Sequence, residues 1–155
     1  MGESLRTRLE RVVFNWWPSY LGTGGRVTHI EDDWSEIHLK LPLSWRTRNI
    51  VGTIFGGSLY SAVDPFYMVM LMRRLSEEYV VWDKDAAIRF RKPATETLYA
   101  TFEMPDVEVE RIETALTDQE SVDREYTVDL VDSEGVVYAT VEKTVHVSTD
   151  EDKRA

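Results

Sequence analysis

The sequence predicts an α+β fold, an antiparallel sheet wrapped around one long central helix at 56–75, with an extra N-terminal helix at 4–17. Three observations predict it. Asn49 to Met72 is apolar almost throughout, with Asp64 its single charged residue, and a helix apolar nearly all round has to be enclosed, not laid on a surface. The flanking segments alternate apolar and polar residues over strand-length runs. The first residues instead repeat their apolar positions at helical spacing.

Taken in order, Leu5, Leu9, Val12, Val13 and Trp16 mark an amphipathic helix that Pro18 closes. LGTGGR is a turn; its glycines lack the spacing of a phosphate-binding loop. Ile37, Leu39 and Leu41 alternate with Glu36, His38 and Lys40, and Ile88 and Phe90 with Arg89 and Arg91. Further strands are marked by Leu98, Ala100, Phe102 and Met104, and by Tyr126, Val128 and Leu130. Between these, PDVEVERIETALTD reads as a short helix with Val109, Ile112 and Leu116 inward. DSEG at 132–135 is a hairpin turn, and Val137, Ala139, Val141, Val145 and Val147 continue the inward face. No repeat or linker divides residues 1–155, which read as a single domain with a frayed tail at 149–155.

Composition narrows the function. A net charge of −10 argues against nucleic acid as a partner. The charge is uneven: residues 40–92 carry +4, between flanks of −2 and −12. The basic segment is either chance within a solubilising charge pattern or a site for an anionic ligand. The start, MGESLRTRLERVV, lacks the apolar stretch of a secretory signal. No uncharged run is long enough to span a membrane, so no membrane partner is expected. With no cysteine, disulfides and thiolate chemistry are excluded, which suits a cytoplasmic protein. His29, His38 and His146 lack metal-ligand spacing and read as surface or packing residues. Neither a metal nor a cofactor is expected.

The candidate chemistry lies in the apolar stretch. Gly56 and Gly57 permit close backbone approach, and a helix start presents N–H donors suited to a developing oxyanion. The plain alternative is a tight turn before a packed helix. Asp64 lies seven residues after Gly57, which on a continuous helix is about the same face. Pro65 behind it should kink the helix. Asp64 then either satisfies backbone freed by the kink or acts as a reacting carboxylate.

The pattern Asn49-x-x-Gly52-Thr53-x-x-Gly56-Gly57, with Asp64 following, resembles the signature of hotdog-fold thioesterases, particularly the phenylacetate-pathway type. It looks closer still to an uncharacterised branch sharing the N-terminal helix, the FGG motif and VVWDK from Val80. The resemblance implies a homodimer with active sites between subunits and an acyl-CoA or related thioester as substrate; the all-apolar helix and open sheet edges by themselves predict a homodimer or a dimer of dimers. It implies that the Gly57 amide polarises the thioester carbonyl and that Asp64 of the other subunit activates water or attacks directly. Asn49 would orient the reacting group, with Thr53, Phe55 and Gly56 lining the substrate site. Arg89 and Arg91 are candidates for the CoA phosphates, since Arg binds phosphate bidentately.

Phe55 stands where many members carry His, which favours a second reading, a non-catalytic acyl-binding module. A hotdog dehydratase ranks last, because that chemistry wants a His beside the acid. Phe66, Tyr67, Met68, Met70 and Met72 could line an acyl pocket or pack the core.

Overall fold

In the computed structural model, which describes residues 2–149, the alternating runs become strands and the apolar stretch becomes the helical segment they enclose. The elements are α1 (Leu5–Trp16), α2 (Pro18–Leu21), β1 (Arg26–Ile30), β2 (Glu36–Leu41), α3 (Gly56–Ser61) and α4 (Phe66–Arg74). They continue with β3 (Val80–Phe90), β4 (Leu98–Glu103), α5 (Asp106–Asp118), β5 (Ser121–Val131) and β6 (Val137–Ser148). The six strands form one antiparallel sheet in the order β1-β2-β4-β5-β6-β3. Its inner residues, among them Ile37, Leu39, Phe102, Leu130 and Val141, share one buried cluster with Leu59, Val63, Phe66 and Met70 of the helical segment. Period-two burial is cleanest in β2 and β4, as expected for strands with one face on a core. The tail placed at 149–155 lies outside the described residues except for Thr149.

The central helix is not continuous. α3 ends at Ser61, Ala62 to Pro65 form turns, and α4 starts at Phe66. Pro65 has no N–H for the Ser61 carbonyl and its ring crowds the preceding turn. The expected kink is therefore a break, and Asp64 sits inside it.

The N-terminal helix forms where its spacing indicates, but its apolar stripe faces outward. Leu9 and Val13 are 67% and 60% exposed, and Leu5 and Trp16 are also exposed. Polar clasps and one ring hold α1 in place. Asn15 binds β1 at both ends of its amide: Nδ2 donates to the Val27 carbonyl and Oδ1 accepts from the Val27 N–H, each at 2.8 Å. Asp32 accepts from the Ser4 N–H and the Thr7 hydroxyl, both at 2.6 Å. Phe14 packs on Tyr20 and Phe66, with ring centroids at 4.7 and 5.5 Å.

Helix α5 buries Val109, Ile112 and Leu116, as its spacing predicts. It also buries Glu108, which accepts from Arg124 at 2.7 and 2.9 Å, Tyr126 at 2.9 Å and Arg111 at 3.2 Å. Burial alone would raise the Glu108 pKa, but the donors on Arg124 and Tyr126 outweigh it and hold the carboxyl below its ordinary 4.5. A lowered acid contributes stability that is present above its unfolded value and lost as pH falls through its folded one. Acidification from about pH 7 to about pH 3 is therefore expected to lower the urea midpoint, and Glu108→Gln to shrink that drop. An equal drop in the variant would remove Glu108 from the account of acid sensitivity.

Candidate active site

The loop before α3 is tightly fastened. Thr47 is fully buried; its hydroxyl donates to the Pro42 carbonyl at 2.7 Å and its own carbonyl accepts the Phe55 N–H at 2.7 Å. The Ile54 N–H donates to the Ala94 carbonyl at 2.8 Å. Gly56 and Gly57 then open the helix between two aromatic rings. A Cβ on Gly57 would lie 2.4 Å from the Phe55 ring, and one on Gly56 3.2 Å from the Phe90 ring. The absence of a side chain at 57 lets the exposed Phe55 ring lie this close. As first-turn residues, the pair has N–H groups with no carbonyl one turn back to bind.

Asp64 does not share a helix face with Gly57, because α3 stops between them. It turns toward Tyr60 and β6 instead. The Tyr60 hydroxyl donates to Asp64 Oδ1 at 2.7 Å, and Lys143 Nζ donates to the same oxygen at 2.7 Å. Lys143 also reaches Asp83 Oδ2 at 2.9 Å and the Tyr60 hydroxyl at 3.4 Å. Lys143 is 2% exposed, whereas the Asp64 side chain is 42% exposed. A sealed ammonium thus supports a carboxylate that solvent can reach.

Both ion-pair partners of Asp64's cluster come from the sheet. Lys143 occupies an inward position of β6 between Val141 and Val145. Asp83 reaches the same side because β3 carries a bulge. Asp83 pairs with Val145, but Asp85 pairs with Thr144 and Ala86 with Lys143, so one extra residue, Lys84, is accommodated. That residue changes the parity of the strand. Before it Val81 and Asp83 sit opposite Val147 and Val145, and after it Ala86 and Ile88 sit opposite Lys143 and Val141.

Ser61, Asp64 and Pro65 line a cavity of about 260 Å³ whose other wall includes Phe14, Trp17 and Tyr20. Phe14 and Trp17 also belong to a larger groove of about 650 Å³, floored by Leu9, Val13 and Val69. Its far end is polar: Arg73 sits 3.6 Å from Glu10 and 4.8 Å from the Trp34 ring centroid. Leu9 and Val13 of the outward α1 stripe thus line an apolar groove that shares Phe14 and Trp17 with the cavity beside Asp64.

The remaining candidates are dispersed. Asn49 closes its own loop, with Nδ2 donating to Thr53 Oγ1 at 2.7 Å and Oδ1 accepting from the Val51 and Thr53 N–H groups at 3.1 and 3.0 Å. Phe55 is exposed at the start of α3. Arg91 Nε donates to Thr140 Oγ1 at 2.8 Å, and Arg89 lies 3.8 Å from Glu142, both on the sheet's outer face. Neither shares a cavity wall with Asp64, although Phe90 between them touches Gly56. Phe66, Tyr67 and Met70 are core residues, so the acyl pocket considered for them is filled by packing. His29, His38 and His146 each pair with one acid, Glu31, Glu36 and Asp123. Among the described residues, no group of three or more acidic or His side chains is placed to hold a metal. No described helix is long and apolar enough to cross a membrane.

Lys143, Asp83 and Tyr60 escape a motif-based reading. For Lys143 a signal was present: 137, 139, 141, 145 and 147 leave 143 as the missing inward position of β6.

The model of the domain of unknown function DUF4442 matches residues 6–147. No curated protein matches in sequence. Among solved structures, a Pseudomonas aeruginosa protein described as a probable thioesterase is 18% identical, with a TM-score of 0.80 over 96% of this chain and 99% of that one. A Chlorobaculum tepidum protein of unknown function is 15% identical, with a TM-score of 0.70 over 92% and 93%. A Haemophilus influenzae thioesterase is 14% identical, with a TM-score of 0.67 over 97% and 95%. At these identities the likeness concerns the fold alone, and that fold is the hotdog.

Proposed function

The chain belongs to the DUF4442 family, and from that premise we propose that it hydrolyses an acyl-CoA or related thioester with Asp64 as the reacting carboxylate. One observation carries the reading. Asp64 is the single charge in an apolar segment, its Oδ1 is fixed by Tyr60 and Lys143, and it lines a cavity that shares Phe14 and Trp17 with an apolar groove.

As general base, Asp64 takes a proton from water while the water oxygen adds to the thioester carbonyl. The C–S bond then breaks and the thiolate leaves to be protonated. Direct attack by the carboxylate would instead pass through an anhydride that water opens. The donor to the carbonyl oxygen is the Gly57 amide at the start of α3, supplied by a second copy. Asn49 contributes by holding the shape of the loop before that donor. The acyl group runs past Phe14 and Trp17 into the α1 groove, which makes a long apolar chain the preferred one. Arg89 and Arg91 flank Phe90 beside the Gly pair and offer guanidinium groups to the CoA phosphates.

The second copy is expected to join along β3. This eleven-residue strand binds β6 on one side and lies at the sheet edge, and an open edge is a template for pairing. Phe90 at its end and Phe55 before the Gly pair are both exposed. Light scattering at micromolar concentration is expected to give twice the chain mass; a monodisperse monomer would end the two-subunit site.

Hydrolysis is tested by a screen over acyl-CoAs of increasing length and over aryl-CoAs, with Asp64→Asn alongside. The expected result is turnover that improves with chain length and depends on Asp64. A second reading, a non-catalytic acyl-binding module, draws on the Phe55 ring against Gly57, at the position where many hotdog thioesterases carry a polar His. Saturable acyl-CoA binding without turnover would decide for it.

A further inference from the structure

We propose that Lys143 is the positioning residue of this site, its ammonium orienting and charge-balancing Asp64, with Asp83 as a competing partner that sets how much of that charge Asp64 receives. The proposal rests on reading Asp64 as the reacting carboxylate.

The geometry carries it. An ammonium on an inward β6 position between Val141 and Val145 is a costly group to bury, and an apolar side chain of similar volume is often as stable there. Stability alone therefore gives no reason for a lysine. Its placement does: Nζ lies 2.7 Å from Asp64 and 2.9 Å from Asp83, with the Tyr60 hydroxyl at 3.4 Å. Both donors to Asp64, Tyr60 and Lys143, converge on Oδ1. The exposed carboxylate keeps Oδ2 for a water or a carbonyl carbon.

Asp83 is the less comfortable acid. Its Oδ2 meets Lys143, while its Oδ1 is buried without a hydrogen-bond partner among the described residues. Burial raises its pKa, against the pull of Lys143. Two carboxylates thus share one ammonium, and what one receives the other loses. The charged and titratable groups facing Asp64 are Tyr60 of α3, Asp83 of β3 and Lys143 of β6, with Tyr20 of α2 on the opposite cavity wall. The Lys84 bulge in β3 gives the arrangement its asymmetry, because it brings Asp83 to the inner face.

The two sheet residues should consequently act with opposite sign. Removing the ammonium with Lys143→Met leaves two uncompensated carboxylates, so the acid limb of the kcat–pH profile is expected to rise by about one to three pH units. The loss of orientation should in addition lower kcat about tenfold or more at a pH of about 7, with KM little changed. Removing the competitor with Asp83→Asn leaves the ammonium to Asp64, and the acid limb should move to lower pH. A structural lysine would lower activity only in step with the folded fraction and leave both limbs in place.

The test is kcat against pH for the unmodified protein, Lys143→Met and Asp83→Asn on one hydrolysed thioester, paired with ¹³C NMR titration of Asp-labelled protein. Opposite displacements support the proposal, and unmoved limbs in both variants overturn it. If Lys143→Met does not fold, Asp83→Asn decides by the same criterion. If the unmodified protein hydrolyses no thioester, the hydrolase reading fails separately. The carboxyl titrations, which belong to the pair as a unit, then decide whether Lys143 divides its charge as proposed.

Discussion

Asp64→Asn leaves the protein folded and cuts thioester hydrolysis by about 10²-fold or more, the usual contribution of a positioned acid–base group. The amide keeps an oxygen at the Oδ1 position to accept from Tyr60 and Lys143, which now stand 2.7 Å away. Lys143 also retains Asp83 at 2.9 Å, so the buried ammonium is not stranded. What disappears is the ability to take a proton or to attack. Steady-state turnover and a melting curve on the same sample separate the outcomes. Full turnover in the variant, on a substrate the unmodified protein cleaves, would make Asp64 a structural ligand of Lys143 and nothing more.

The largest loss of stability is expected from Phe66→Ala. Phe66 is the first residue of α4 after the Pro65 break, and it is 1% exposed. Its ring meets Phe102 of the sheet at 4.7 Å, Phe14 of α1 at 5.5 Å and Tyr20 of α2 at 5.6 Å. Those three contacts come from three elements, so neighbours cannot collapse into the cavity without moving a helix. Truncation of a buried Phe costs about 3–5 kcal/mol, which for a domain of this size lowers Tm by roughly 6–20 °C. α1 should loosen first, because Phe14 loses its partner. A loss below about 1 kcal/mol would show that α1 and α2 repack freely.

Much of this was legible in the sequence, and what was not has specific causes. Alternation locates β2, β4, β5 and β6, because each lays one face on the core. The isolation of Asp64 marks the candidate site, and the adjacent Pro65 the helix disruption. The orientation of α1 is not legible, because hydrophobic spacing identifies a stripe without saying what covers it. Asn15, Thr7 and Phe14 hold the helix instead, and a two-bond clasp leaves no periodic trace. Asp83 is hidden because the Lys84 bulge reverses strand parity, so no single alternation joins Val81 to Ile88. Lys143 is hidden because an inward position filled by a cation reads as a gap in an apolar series. The contact between Lys143 and Asp64 joins residues far apart in the chain, and neither announces the other.

The Asn15 clasp also has a consequence for assembly. At the β1 end of the sheet, Asn15 occupies both backbone groups of Val27 and α1 lies over the strand, while β3 at the other end remains open. A ladder with one terminated end and one reactive end cannot propagate. Two copies joined through β3 exhaust their valence, and each exposes only its terminated end. Helix α1 would thereby act as a chain terminator, so that the proposed pairing through β3 would build a closed pair and not a fibre.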